Sequence, residues 1–254
     1  MKRAPGRRGG PFQSPVFELV YEDNFLLVVD KKAGYLSVPT GEWNRTTKGE
    51  QTLIGEIKRY LAIKSGRDLG ATPIHRLDRD TSGLLVVAKS QKISQRVKEQ
   101  FSARKPDREY VAIVKGRVAK EKGTFRSYLA TDDDLNQYST KREAEGKLAI
   151  THYEVVSYLE DATRVRVTLE TGRRNQIRVH FSEVGHPVLG DVRYRAELAK
   201  HKRWPYPRLA LHAARLGFAH PMSRKKLEFL SPLPKEFAAF IDAAALPDLE
   251  RGEK

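Results

Sequence analysis

The run His75-Arg76-Leu77-Asp78-Arg79-Asp80-Thr81-Ser82-Gly83-Leu84-Leu85-Val86-Val87-Ala88 constrains this chain more than any other stretch. Charged and small polar residues pass directly into an apolar run, the pattern of a loop held at the lip of a buried strand. A carboxylate at such a lip is fixed by a rigid element yet open to a cleft, where a reactive carboxylate is useful. Asp78 is the candidate. Taken alone, an Asp in this setting more often pairs with Arg76 or Arg79, or caps the turn before Leu84, so other segments must decide.

Periodicity supplies the frame around it. Phe25 to Val29 reads as a short buried strand closed by a turn from Asp30 to Gly34, and residues 35–50 read as an irregular loop. Thr52 is placed to cap a helix with Leu53, Ile57, Tyr60 and Leu61 on its apolar face, and Ser90 to cap another carrying Ile93, Val97 and Phe101. Tyr110 to Lys115 reads as a strand, and Val165, Val167 and Leu169 alternate with polar residues as a half-exposed strand does. Phe237, Phe240, Ile241 and Ala244 mark a final helix. Strands outnumber helices without regular alternation, which predicts an α+β fold with a mixed, mainly antiparallel sheet core and flanking helices and loops, not a doubly wound one. One domain is expected over 16–245, preceded by a basic, disordered arm (1–15) and followed by a polar tail (246–254).

Charge points to the partner. The 254 residues carry a formal net charge of +15, and such an imbalance attracts polyanions, nucleic acid first. Gly172-Arg173-Arg174-Asn175-Gln176-Ile177-Arg178-Val179-His180 reads either as a strand, with Gln176, Arg178 and His180 on one face, or as a helix. In both readings its arginines suit a polyanion surface better than a core, with a solvated basic strand as the plain alternative. Arg193 to Arg208 contains Arg193, Arg195, Lys200, Lys202, Arg203 and Arg208 against one acid, Glu197, and interleaves Tyr194, Trp204 and Tyr206. Cations beside aromatics suit nucleic acid, while a mobile basic loop is the alternative. Tyr110 is a core aromatic or a ring that stacks on a base.

Other chemistry is absent from the sequence. There is no cysteine, which excludes disulfides, thiolate catalysis and Cys-type zinc sites. The histidines form no defensible metal cluster, and the acidic run Asp132 to Asp134 reads as a solvated loop. No phosphate-cradling glycine loop or dinucleotide fingerprint occurs. No stretch approaches the ~18 apolar residues that cross a membrane. Neither a metal nor any other cofactor is therefore expected, and a cytoplasmic, monomeric protein is.

Together the segments resemble the RluA-type RNA pseudouridine synthases. His75-Arg76-Leu77-Asp78 with Thr81-Ser82-Gly83 resembles that family's catalytic loop, Arg108 to Ala112 its tyrosine motif, and Gly172 to His180 with Gly185 to Asp191 its third motif. Tyr21 to Gly34 resembles its opening strand, and Leu211-His212-Ala213 to Pro221 its closing segment. The likeness runs in family order from about 16 to 235. Lys32 stands where proline is frequent, and Arg174-Asn175 where Thr-His is commoner. Neither departure is expected to touch the catalytic positions, although the second is expected to alter RNA contacts. An N-terminal S4 RNA-binding domain, present in many members, is expected to be missing.

The resemblance implies isomerisation of uridine to pseudouridine in rRNA or tRNA, by base flipping, without a cofactor. It makes Asp78 the essential carboxylate, Arg178 its counter-ion, Tyr110 the ring on the uracil and Ile177 an apolar wall. Arg76 would hold or replace the flipped nucleotide. His75, Arg173, Gln176, His180, Arg193 and Arg203 complete the expected RNA contacts. Two rival functions are a non-catalytic RNA-binding protein, which would not need Asp78 with Tyr110 and Arg178, and a hydrolase of a glycosidic bond. Glycosidases usually need two carboxylates, and Asp80 is the one near partner.

Overall fold

The computed structural model describes residues 12–39, 51–66, 70–103 and 107–246. Eleven strands among them form one mixed sheet: β1 (Phe17–Glu22), β2 (Leu26–Lys31), β3 (Thr72–Pro73), β4 (Ser82–Ala88), β5 (Asp107–Lys115), β6 (Lys122–Thr131), β7 (Gln137–Thr140), β8 (Lys147–Leu159), β9 (Ala162–Leu169), β10 (Leu211–Ala219) and β11 (Lys226–Leu230). The order is β1-β2-β4-β10-β5-β9-β8-β6-β7, with β11 beside β10 and β3 beside β4. β10 runs parallel to β4, and the other pairings are antiparallel. This is the expected α+β architecture.

The apolar runs are continuous because both faces of the sheet are covered at β2 and β4. Leu27, Val29, Leu85 and Val87 join one core cluster with Leu53, Ile57 and Leu61 of α1 (Leu53–Ser65) and with Phe237 and Phe240 of α4 (Lys235–Ala243). Leu26, Val28, Leu84 and Val86 join a second cluster with Ile93 and Val97 of α2 (Gln91–Ser102). The predicted caps form: Thr52 accepts from the Gly55 amide and Ser90 from that of Ile93. The tyrosine strand is longer than Tyr110–Lys115, and β2 runs through Asp30 and Lys31, so the expected turn begins later.

Gly83 has a φ of +113°, and a Cβ there would lie 2.3 Å from the Ala213 carbonyl oxygen. Only glycine lets β4 approach β10 that closely. This junction seats the loop before β4, the segment carrying Asp78, on the middle of the sheet. The N-terminal arm as far as residue 11 and the tail from 247 lie outside the described residues, as do residues 40–50 of the expected loop.

Candidate active site

The backbone on either side of Asp78 is pinned from a distance. The Ser37 hydroxyl donates to the Leu77 carbonyl at 2.7 Å and accepts from the Leu77 amide at 3.0 Å. Lys31, fully buried, donates to the carbonyls of Lys32, Tyr35 and Arg79 at 2.8–2.9 Å. Gly34 donates its amide to the same Arg79 carbonyl, and the Thr81 amide closes a turn onto the Asp78 carbonyl. Burial draws the Lys31 pKa down to about 7, opposed by the charges of Asp80 and Asp78.

The Asp78 carboxylate faces the start of α3 (Gln176–Glu183). Arg178, on this helix, brings Nη1 within 3.5 Å of the carboxylate. The same guanidinium makes two shorter bonds, Nε and Nη2 to the two oxygens of Asp191, both at 2.7 Å. The Asp191 side chain is fully buried and also accepts from the amides of Arg193 and Tyr194. Burial works against the Arg178 charge, and the bonds to Asp191, then the charge of Asp78, hold it protonated.

Asn175 supplies the next contact. With its amide oriented so that nitrogen faces the carboxylate, it donates to both Asp78 oxygens at 3.1 Å and accepts from the Tyr194 hydroxyl at 3.0 Å. The Tyr194 oxygen in turn accepts from the Gln137 amide. Asn175 sits at φ +55° just before α3, a conformation asparagine tolerates better than most residues. The expectation that the Arg174-Asn175 departure leaves the catalytic positions untouched is therefore corrected.

Tyr110 reaches the pocket from β5 and Ile177 from α3, with Arg76, Thr81 and Leu211 completing its wall. Tyr110 is 7% exposed. Burial raises the pKa of its hydroxyl, with Asp78 adding to that and Arg108 opposing it. The buried Thr81 Oγ1 has no partner among the described residues.

Other expected RNA contacts divide. His75 and Arg173 line a recess beside Asp78, and Arg193 is exposed near the same end, with its side chain bonded to the Leu135 carbonyl. Gln176 and His180 are instead interior: Gln176 bonds to Thr171, Arg173, Ile150 and Thr151, and His180 to Thr151 and Ser127. The helical reading of this segment holds, and Gln176 and His180 share a face that points inward, away from Arg178. Arg203 pairs with Glu160. Tyr194 and Trp204 are 9% and 5% exposed, and Trp204 packs edge-on against Phe237 and Phe240. These two rings are core, which corrects the reading of 193–208 as a run of base-stacking aromatics. Among the described residues no group of three or more His, Cys, Asp or Glu side chains is placed to hold a metal ion.

A carboxylate held by a guanidinium and an amide stands beside a buried tyrosine in a basic cleft, and sequence likeness points the same way. Residues 25–183 match the family described as RNA pseudouridylate synthase. The chain belongs to that family. It is 37% identical over 227 residues to ribosomal large subunit pseudouridine synthase D of Zymomonas mobilis subsp. mobilis, covering 86% of this chain and 70% of the relative. It is 36% identical over 223 residues to the dual-specificity RNA pseudouridine synthase RluA of Haemophilus ducreyi, covering 86% and 94%. The human RNA pseudouridylate synthase domain containing 4 shares the fold, with a TM-score of 0.70 at 22% identity over 88% of this chain and 91% of that one. This RluA-type pseudouridine synthase is thus an isomerase acting on RNA, and the non-catalytic reading finds no support. Asp191, Asn175, Lys31 and Ser37 were missed as site residues because each acts across the fold. Asp191 did lie inside a quoted motif, and the Arg174-Asn175 departure was itself a signal.

Proposed function

We propose that this synthase modifies uridines in ribosomal or transfer RNA and that Asp78 carries the reaction. The observation behind the second part is the convergence of Arg178, Asn175 and Tyr110 on the Asp78 pocket. The ribosomal substrate is supported by the name of a relative, ribosomal large subunit pseudouridine synthase D, and transfer RNA stays with the family resemblance of the sequence motifs. A stacked uridine cannot reach a pocket in the protein, so the target is flipped out at a cost of a few kcal/mol. Arg76, exposed at the mouth, holds or replaces it. Asp78 then attacks the ribose or removes a ribose proton, and the bond from ribose to N1 breaks. The base turns between Tyr110 and Ile177, C5 bonds to the ribose as Asp78 departs from it or returns its proton, and the C5 proton leaves while N1 gains one. The isomerisation is balanced within the nucleotide. The hydroxyls of Tyr110 and Thr81 are the nearby groups suited to the proton and to a sugar hydroxyl.

Asp78→Asn tests this directly. It should bind RNA as the wild type does and form no pseudouridine; wild-type turnover would remove Asp78 from the mechanism. Mapping pseudouridine across cellular RNA with and without the gene identifies the substrate. We further read the protein as a cytoplasmic monomer, the location from its bacterial rRNA-modifying relatives, with light scattering of the purified chain as the check on the monomer.

A further inference from the structure

A second recess, of about 470 Å³, opens beside the catalytic pocket and shares Arg76, Asp78, Tyr110 and Arg173 with it. Five cations line it: Arg76, Lys98, Arg108, Arg173 and Arg174. Its two carboxylates are engaged elsewhere, Asp78 by Arg178 and Asn175 and Glu170 by His152. Among the described residues none of the five cations forms an ion pair; Arg173 and Arg174 spend donors on the carbonyls of Leu148 and Leu135.

Arg108 is the unusual member. It is only 9% exposed. Its guanidinium lies 5.6 Å from the centre of the Phe101 ring, which stacks on His75. Nη2 reaches the Leu169 carbonyl at a long 3.4 Å, and Nε, closed off from water, has no partner. Burying a cation without a carboxylate is costly, and an anion in the recess would compensate the charge through the terminal guanidinium nitrogens, Nη1 and Nη2. The fold makes room for this arrangement: a Cβ at Gly172 would lie 2.7 Å from Arg108 Nη1. The absence of a side chain at 172 lets the guanidinium reach the wall of the recess.

We propose that this recess is an RNA phosphate subsite anchored by Arg108, which takes a phosphodiester next to the uridine in the catalytic pocket. Phosphate is favoured over a stacked base because Phe101 is already engaged by His75 and Arg108. The proposal rests on the reading of the Asp78 pocket as the seat of the flipped uridine. It gives Arg108 a substrate-binding role and Gly172 a positioning one.

The test is the salt dependence of binding to a fluorescein-labelled oligouridylate, read by anisotropy between about 50 and 200 mM salt. Each lost phosphate contact on a single strand lowers the slope of log K against log salt by about 0.7. Arg108→Gln should bind more weakly and lose that slope, and Arg108→Lys should keep it. Gly172→Ala retains every charge but pushes the flexible end of Arg108 aside, so it should reproduce the loss. It also decides the matter if Arg108→Gln fails to fold. Lys120→Gln, at an exposed site remote from the recess, should keep the wild-type slope. A folded Arg108→Gln or Gly172→Ala protein with the wild-type slope would overturn the proposal, as would an equal loss in Lys120→Gln. The reading of the catalytic pocket fails separately, if Asp78→Asn still forms pseudouridine.

Discussion

Arg178 is gripped by Asp191 through two bonds of 2.7 Å, while its remaining nitrogen, Nη1, stands 3.5 Å from Asp78. Asp191 therefore fixes the cation, and Asp78 receives what is left of it. Because Asp191 is fully buried, removing it leaves Arg178 charged and poorly compensated. Asp191→Ala should destabilise the fold by about 3–5 kcal/mol. Asp191→Asn, which keeps the shape, should lower turnover at least tenfold by letting the guanidinium drift. Urea denaturation and single-turnover pseudouridine formation read the two effects, and an Asp191→Asn enzyme with wild-type turnover would show that Arg178 needs no such hold.

Asn175 gives a second prediction. Its amide donates to both Asp78 oxygens, and the Tyr194 hydroxyl holds its own oxygen. Asn175→Ala should reduce turnover by about tenfold with little change in RNA affinity, since orientation is lost and charge is not. Asn175→Asp should be worse, because a second carboxylate would face Asp78. Tyr194→Phe removes both the bond to Asn175 and the acceptor for the buried Gln137 amide. It should cost about 1–3 kcal/mol of stability as well as activity. A fall in RNA affinity that matched the fall in turnover would argue against a positioning role.

What was legible in the sequence follows from locality. The runs Phe25–Val29 and Leu84–Ala88, and the caps Thr52 and Ser90, announce themselves within a few residues, and the structure bears them out. β6, β7 and β8 were not read, because a half-exposed alternation interrupted by charged and aromatic residues resembles loop. α3 stayed ambiguous because it has eight residues and no side-chain cap bond. Asp78, Tyr110 and Arg178 were named from motifs, and the structure gathers them at one pocket. Trp204 and Tyr194 were misplaced because composition cannot separate a ring packed on Phe237 from one awaiting a base. Asp191 and Ser37 reach their partners only through the folded chain, and no local pattern marks such a partner.

Lys31 gives a third prediction. It ties three carbonyls together, and one of them, Arg79, immediately follows Asp78. Lys31→Met fills similar space but leaves the carbonyls of Lys32, Tyr35 and Arg79 without their lysine donor, the last still bonded by the Gly34 amide. A loss of about 2 kcal/mol or more is expected, together with a fall in turnover because the loop is no longer pinned. Hydrogen exchange at residues 76–81 should speed up selectively. Unchanged exchange there would mean that Ser37 and Gly34 suffice.

Three histidines whose pKa burial lowers contribute to the response to acid: His75, drawn down to about 3, and two that bridge hydroxyl groups. His212 bridges Ser82 and Ser231, and His180 bridges Thr151 and Ser127. Burial lowers both pKa values to about 4, against about 6.5 in an unfolded chain. Between those values the unfolded chain binds a proton that the folded one refuses, so unfolding takes up protons. The stabilisation is complete above pH ~6.5, falls as pH drops toward ~4 and changes no further below it, amounting to about 3 kcal/mol per ring. Asp30, whose pKa burial raises, works in the opposite direction in acid. Urea midpoints should therefore fall between pH 7 and pH 5. Replacing either ring, as His180→Gln or His212→Gln, should remove about one proton from the uptake at pH 5. A pH-independent midpoint across that window, or variants that keep the wild-type uptake, would mean that these rings are protonated in the folded state.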